Sequence, residues 1–336
     1  MQVNISGLSK AKLQFERKDI IVTGGTGFIG SNLIRILISF NANVHLLIRN
    51  KSNLWRLEDI KKFIHIIKID LLDLHALSKI IGKINPQYIF HFAFPSNDLL
   101  QSPFDFQRQL DLTSGHLLNL LQSISSTQGN LKSFIHACSS TLYQWSEERY
   151  RLNENTPFDP YTLRGMLKLN ERNICQYFSI NHGLPIKLAR IFRAYGPWEI
   201  NHKLIISALD AARNNNPIPL ANNRYKRDYI FTNDLVKGIL LLANSKLHPG
   251  TEMNFGSNSQ FSAFEIVKIL EEILEIEIPK TLNSYPKNPY DKGNFIADIT
   301  FAKEMLNWQP KFSIREGLQI TVYWYKEYYQ WQVKSN

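Results

Sequence analysis

Cysteine is nearly absent: 336 residues contain two, Cys138 and Cys175. Such a pair makes neither a disulfide framework nor a thiolate metal cluster, so no metal is expected and a reducing, cytoplasmic setting is. No apolar run approaches the length of a membrane span, and the first residues lack the basic-then-apolar layout of a signal peptide, so no membrane partner is expected. Internal repeats and low-complexity linkers are missing too. Acidic residues are the scarcer charge, 29 against 39 basic, which leaves a formal net charge of +10. The basic residues are scattered, with small clusters at Lys10/Lys12, Lys61/Lys62 and Arg224/Lys226/Arg227. That scatter fits a solvated face plus a site for phosphorylated ligands, and argues against a nucleic-acid partner, which needs a continuous basic surface.

Glycine is also sparse, at 16 residues, yet three of them fall at 24, 27 and 30. They follow the apolar run Ile20-Ile21-Val22 and precede the helix-like Ile29-Gly30-Ser31-Asn32-Leu33-Ile34. In such a fingerprint one glycine makes a tight turn, one lets backbone approach a pyrophosphate, and one lets helix pack on strand. Further strand-like runs follow at 44–48, 63–69, 88–92, 132–137 and 184–191, alternating with helix-length segments such as 106–126 and 161–181. Asp73 and Ser262 are placed to cap helices starting at 74 and 263, and Asp234 to cap 235–242. The alternation predicts an α/β fold: a Rossmann-type doubly wound parallel sheet with a smaller C-terminal α/β substrate lobe. The expected division is an N-terminal extension over 1–18, a mainly dinucleotide-binding domain over 19–197, and a substrate-binding lobe over 198–336 interleaved with it.

With these elements placed, the chain resembles the extended short-chain dehydrogenase/reductase family of nucleotide-sugar epimerases, dehydratases and 4-ketoreductases. The likeness covers about 19–329. It is carried by Thr23-Gly24-Gly25-Thr26-Gly27-Phe28-Ile29-Gly30, Asp70, His91-Phe92-Ala93, Ser139-Ser140-Thr141-Leu142-Tyr143, Ala189–Pro197, Arg227-Asp228-Tyr229 and Asn254-Phe255-Gly256. It implies that Gly24, Thr26, Gly27, Phe28, Ile29 and Gly30 surround a cofactor pyrophosphate, that Asp70 and Leu71 meet its adenine, and that Phe92, Ala93 and Phe94 lie along its middle. Members that prefer NAD usually end strand two with an acidic residue. Here Arg49 stands there, with Ser52 close by, so the expected cofactor is NADP rather than NAD, because arginine suits a 2′-phosphate.

The family's catalytic set is a Ser or Thr, a Tyr, and a Lys four residues after the Tyr, the ammonium lowering the phenol's pKa. Ser139 fits the first place. Ser140-Thr141 stands where dehydratases carry Asp-Glu, and neither hydroxyl acts as a carboxylic acid, which argues against a 4,6-dehydratase. The Tyr/Lys pair is broken: Tyr161 is followed four residues on by Gly165, and Lys168 is preceded four residues back by Arg164. Either Arg164 occupies the tyrosine's place, where it is a poor general base, or Tyr161 reaches the sugar from a non-helical start. Lys168 is then expected at the nicotinamide ribose. On the substrate side Ser140, Thr141, Arg193, Arg224 and Arg227 are expected to hold a nucleotide-diphosphate sugar. The reading that results is a 4-keto-6-deoxyhexose-nucleotide reductase, with two alternatives: an epimerase using tightly bound NAD, or a catalytically degenerate binding protein. A homodimer through the two long helices is expected.

Overall fold

The computed structural model describes residues 9–95, 105–127, 129–144, 149–199, 202–220, 225–282, 284 and 294–331. The chain divides into two compact units, Met1–Tyr143 with Phe158–Ile191 and Val236–Met253, and Gln144–Pro157 with Phe192–Leu235 and Asn254–Asn336.

In the first unit, β-branched and aliphatic runs form strands that are largely buried on both faces at the centre of a sheet covered by helices and exposed at its edge, over 65–68. The strands are β1 (Asp19–Thr23), β2 (Asn43–Ile48), β3 (His65–Lys68), β4 (Tyr88–His91) and β5 (Ser133–Ser139), followed by Ile186–Ile191. With Glu252–Phe255 they make a seven-stranded sheet in the order 252–255, 186–191, β5, β4, β1, β2, β3. Every pair from β3 across to 186–191 is parallel. The order reverses between β1 and β4, the place where open α/β sheets bind ligands.

The helices of this unit include α1 (Ser9–Phe15), α2 (Phe28–Ser39), α3 (Leu74–Ile84), α4 (Phe106–Leu110), α5 (His116–Ser126) and α6 (Leu163–His182). Asp73 caps α3 as expected, accepting from the Ala76 N–H at 2.9 Å. Part of the 1–18 extension is ordered: Phe15 is buried, its ring 4.7 Å from that of Tyr88. The single helix expected over 106–126 is instead α4 and α5 joined by a π-helical segment, Asp111–Gly115. Leu117, Leu120 and Leu121 of α5 pack with Phe134, Leu188 and Phe178 in the unit's core.

The second unit holds a mixed four-stranded sheet, ordered 261–262, 226–227, 294–297, 149–152, and two small parallel pairs. Its core gathers Leu209, Ile266, Leu270, Leu318 and Tyr325 from three helices. Ser262 forms a capping box with Glu265. Asp234 does not cap 235–242. The helix starts earlier, at Thr232, and the Asp234 carboxylate accepts the Lys311 and Phe312 N–H groups at 2.9 and 3.0 Å. Among the described residues no helix is long and apolar enough to cross a membrane.

Candidate functional site

The glycine loop turns at the C-terminal end of β1. Gly24 has φ +68°, and a Cβ there would stand 2.3 Å from the Phe92 carbonyl carbon and 2.4 Å from the Ala93 nitrogen. The loop thus touches the backbone leaving β4 at the reversal point, which only glycine permits. A Cβ on Gly30 would meet the Gly24 oxygen at 2.5 Å, so its absence seats α2 against the turn. At Gly27 the added atom would meet only that same oxygen, at 3.1 Å. Gly27 is the N-cap of α2 and supplies no side-chain cap for the first amides of the helix.

The loop borders a cleft at the reversal of the sheet. Gly24, Thr26 and Gly27 form one wall. Arg49 and Ser52 stand beyond the end of β2, and Leu71 lies past β3. Phe92, Ala93 and Phe94 complete the side that leaves β4. Among the described residues, none that line the cleft is acidic. Phe28, Ile29 and Gly30 open α2 but do not line the cleft, nor does Asp70, whose carboxylate accepts the Leu72 N–H at 3.0 Å.

The sequence reading missed Leu112 and His116, which line the same cleft. They lie in and just after the π-helical segment, and a π insertion shifts helix register, so a 3.6-residue period gives no warning of it. It also missed Arg56, a buried guanidinium that donates to the Thr26 carbonyl at 3.1 Å and steadies the loop from below.

The expected reaction end assembles around α6. A Cβ on Gly165 would meet the Thr141 carbonyl oxygen at 2.5 Å, so glycine here lets α6 pack on the turn Ser140–Leu142. In that turn Ser139 Oγ accepts from the Thr141 hydroxyl at 2.9 Å and from its N–H at 3.2 Å. Neither bond uses the Ser139 hydrogen. Arg164 and Lys168 meet the ring of Phe94, at 4.7 and 4.1 Å from its centre. Tyr161 precedes the N-cap Thr162 and is 47% exposed. A hydrogen bond to Asp159 raises its phenol above the ordinary value, the opposite of what a base needs.

Lys168 is buried and donates to the Ala137 carbonyl and to Glu171 Oε2, both at 2.8 Å. Burial alone would raise the Glu171 carboxyl, but the Lys168 charge and the approach of His136 hold it down to about 2. Burial pushes His91, His116 and His136 below the usual histidine range, so all three are neutral.

In the second unit, Arg193 lies 5.5 Å from the Tyr229 ring, and Arg227 lies 5.5 Å from that of Phe295 while donating to the Lys226 carbonyl at 2.9 Å. The neighbouring Asp228 is buried, which pushes its carboxyl up to about 6 although the Asn258 and Ala297 N–H groups donate to it at 3.0 Å. Arg224 lies outside the described residues.

Comparison with known proteins agrees with this arrangement. The family described as GDP-mannose 4,6 dehydratase matches residues 21–321. The dTDP-glucose 4,6-dehydratase of Haemophilus influenzae is 27% identical over 331 residues, covering 91% of this chain and 97% of the relative. An epimerase of Methanothermobacter thermautotrophicus superposes with TM-score 0.87 at 25% identity, over 97% of both chains. The UDP-glucuronic acid 4-epimerase of Bacillus cereus, solved with UDP-glucuronic acid and NAD, gives TM-score 0.82 at 24% identity, over 93% of this chain and 100% of that one.

Proposed function

The chain belongs to the extended short-chain dehydrogenase/reductase family of nucleotide-sugar-modifying enzymes, and from that premise we propose that it is a nucleotide-sugar epimerase. The observation that carries the proposal is the cleft at the reversal of the sheet, whose lining residue Phe94 meets Arg164 and Lys168 on the helix that packs on the Ser140–Leu142 turn. Two relatives named above are epimerases, and this chain has Ser140 and Thr141 where a dehydratase needs carboxyl groups. The reductase first expected has less support than the epimerase.

The cofactor proposed is NAD, which the Bacillus cereus relative holds. The cleft fits it: the amides opening α2 suit a pyrophosphate, and Leu47, Ile69 and Leu71 offer an apolar slot for adenine. A second reading, NADP, is favoured by Arg49 beside Ser52 on a wall with no carboxylate. Bound there, a nicotinamide supplies a reversible hydride acceptor for a sugar carbon. Ser139 donates its unused hydrogen to the sugar oxygen. Lys168 holds the nicotinamide ribose. Arg164 stays protonated and donates to the same sugar oxygen, stabilising negative charge there, and the proton that this oxygen gives up passes to solvent water rather than to Arg164. Arg193 and Arg227 hold the substrate diphosphate through their planar forks. A homodimer through α5 and α6 belongs to the same proposal, with sedimentation equilibrium as its check.

The test is to incubate the purified chain and NAD with UDP-glucose, UDP-glucuronic acid and dTDP-glucose, following the sugar by NMR. Inversion at one carbon without net change in the cofactor is expected. Net oxidation of added NADPH would instead support a reductase, and no turnover of any sugar would leave a binding protein.

A further inference from the structure

A line of buried polar groups runs from β1 to the reaction end, within the first unit. Thr23 Oγ1 lies 2.7 Å from His91 Nδ1, and the His91 ring stacks on that of His136 at 5.7 Å. His136 Nε2 is 3.4 Å from Glu171 Oε2, the oxygen that accepts from Lys168. Apart from Lys168, at 5%, these side chains are at most 1% exposed. Removing two charges from water costs several kcal/mol per ion, and a packed apolar pair is often as stable. Stability alone therefore gives no account of the Lys168–Glu171 pair.

Positioning gives one. Lysine has a long, flexible stem and three ammonium hydrogens. Two are committed, one to the Ala137 carbonyl and one to Glu171. The remaining side of Nζ faces the ring of Phe94, a wall of the cleft. Glu171 is itself held by α6, one turn on, and by its approach to His136.

We propose that Glu171 is a positioning residue, fixing the Lys168 ammonium so that its third hydrogen is presented on the Phe94 side of the cleft, to the ribose hydroxyls of the nicotinamide half of the cofactor. The inference rests on the dinucleotide reading of the cleft. It gives Glu171 no contact with the ligand and makes its effect depend wholly on Lys168.

The experiment is a double-mutant cycle read by calorimetry with two ligands, NAD and ADP, which share every group except those beyond the pyrophosphate. Lys168→Met and Glu171→Gln are each expected to weaken NAD at least fivefold and leave ADP within twofold. The double variant is expected to be no weaker than Lys168→Met alone, because its target is already gone. It also keeps no unpaired buried charge, so it remains informative if Glu171→Gln fails to fold: NAD affinity below that of Lys168→Met would overturn the proposal. So would wild-type NAD affinity in folded Glu171→Gln, losses that add, or NAD and ADP falling together. A wild-type chain that binds ADP but gains nothing from the nicotinamide half overturns it equally. Failure of the wild-type chain to bind either ligand would instead remove the dinucleotide reading beneath it.

Discussion

Arg164 stands where the family pattern puts a phenol, and what it cannot do is accept a proton. A positioned general base contributes about 10²–10⁴-fold to a proton transfer, so Arg164→Tyr, which restores the spacing to Lys168, is expected to raise the single-turnover rate of sugar oxidation by at least about 10-fold. Tyr161→Phe is expected to leave that rate unchanged, since Tyr161 is exposed and its proton is held by Asp159. The reverse outcome, loss with Tyr161→Phe and none with Arg164→Tyr, would return the catalytic place to Tyr161. Glu171 makes a separate prediction. Its folded carboxyl lies at about 2 against an ordinary 4.5, so its stabilisation is fully present above about pH 4.5 and lost as pH falls through 2. Urea denaturation should show the stability gap between the wild type and Glu171→Gln narrowing across that window. A gap constant with pH would mean that the carboxylate charge is not what stabilises. At this scale the sequence was legible where a residue's role depends on near neighbours. The glycines at 24, 27 and 30 and the break at Arg164 and Lys168 could all be read. The bonds of Lys168 to Ala137 and of Arg56 to Thr26 join residues far apart along the chain, and no spacing announces them.

Among the elements, helix starts show the same division. Ser262 was readable as a cap because its partner Glu265 is three residues on. Asp234 was misread because an aspartate that caps its own helix and one that anchors a distant strap look alike in sequence. The magnitudes follow. Ser262→Ala is expected to cost about 1 kcal/mol, the worth of a cap. Asp234→Ala leaves the Lys311 and Phe312 N–H groups without their carboxylate and is expected to cost about 3 kcal/mol. Chemical denaturation of both variants checks the order, and equal losses would contradict it. The π-helical segment at Asp111–Gly115 was illegible for a different reason. Its poor helix formers, Asp111, Thr113, Ser114 and Gly115, do not by themselves tell a π-helical turn from a helix end, and the register shift that brings Leu112 and His116 to the cleft shows only in three dimensions.

Over the whole molecule, the alternation of apolar runs with helix-length segments sufficed to foresee a parallel sheet, but not where its strand order reverses. How Phe158–Ile191 and Val236–Met253 return to the first unit was less visible, since that depends on pairings between distant segments. Everything proposed for the chain's chemistry depends on the cleft over α2 receiving a dinucleotide. The direct test is calorimetric titration of NAD and NADP into the wild type and into Gly27→Val, whose added methyls project into the cleft where only the Gly24 oxygen stands within contact. One molecule bound per wild-type chain, and no binding by a Gly27→Val variant with an unchanged melting temperature, is the predicted result. Heat from neither nucleotide with the wild type, or equal affinity in the variant, would contradict it.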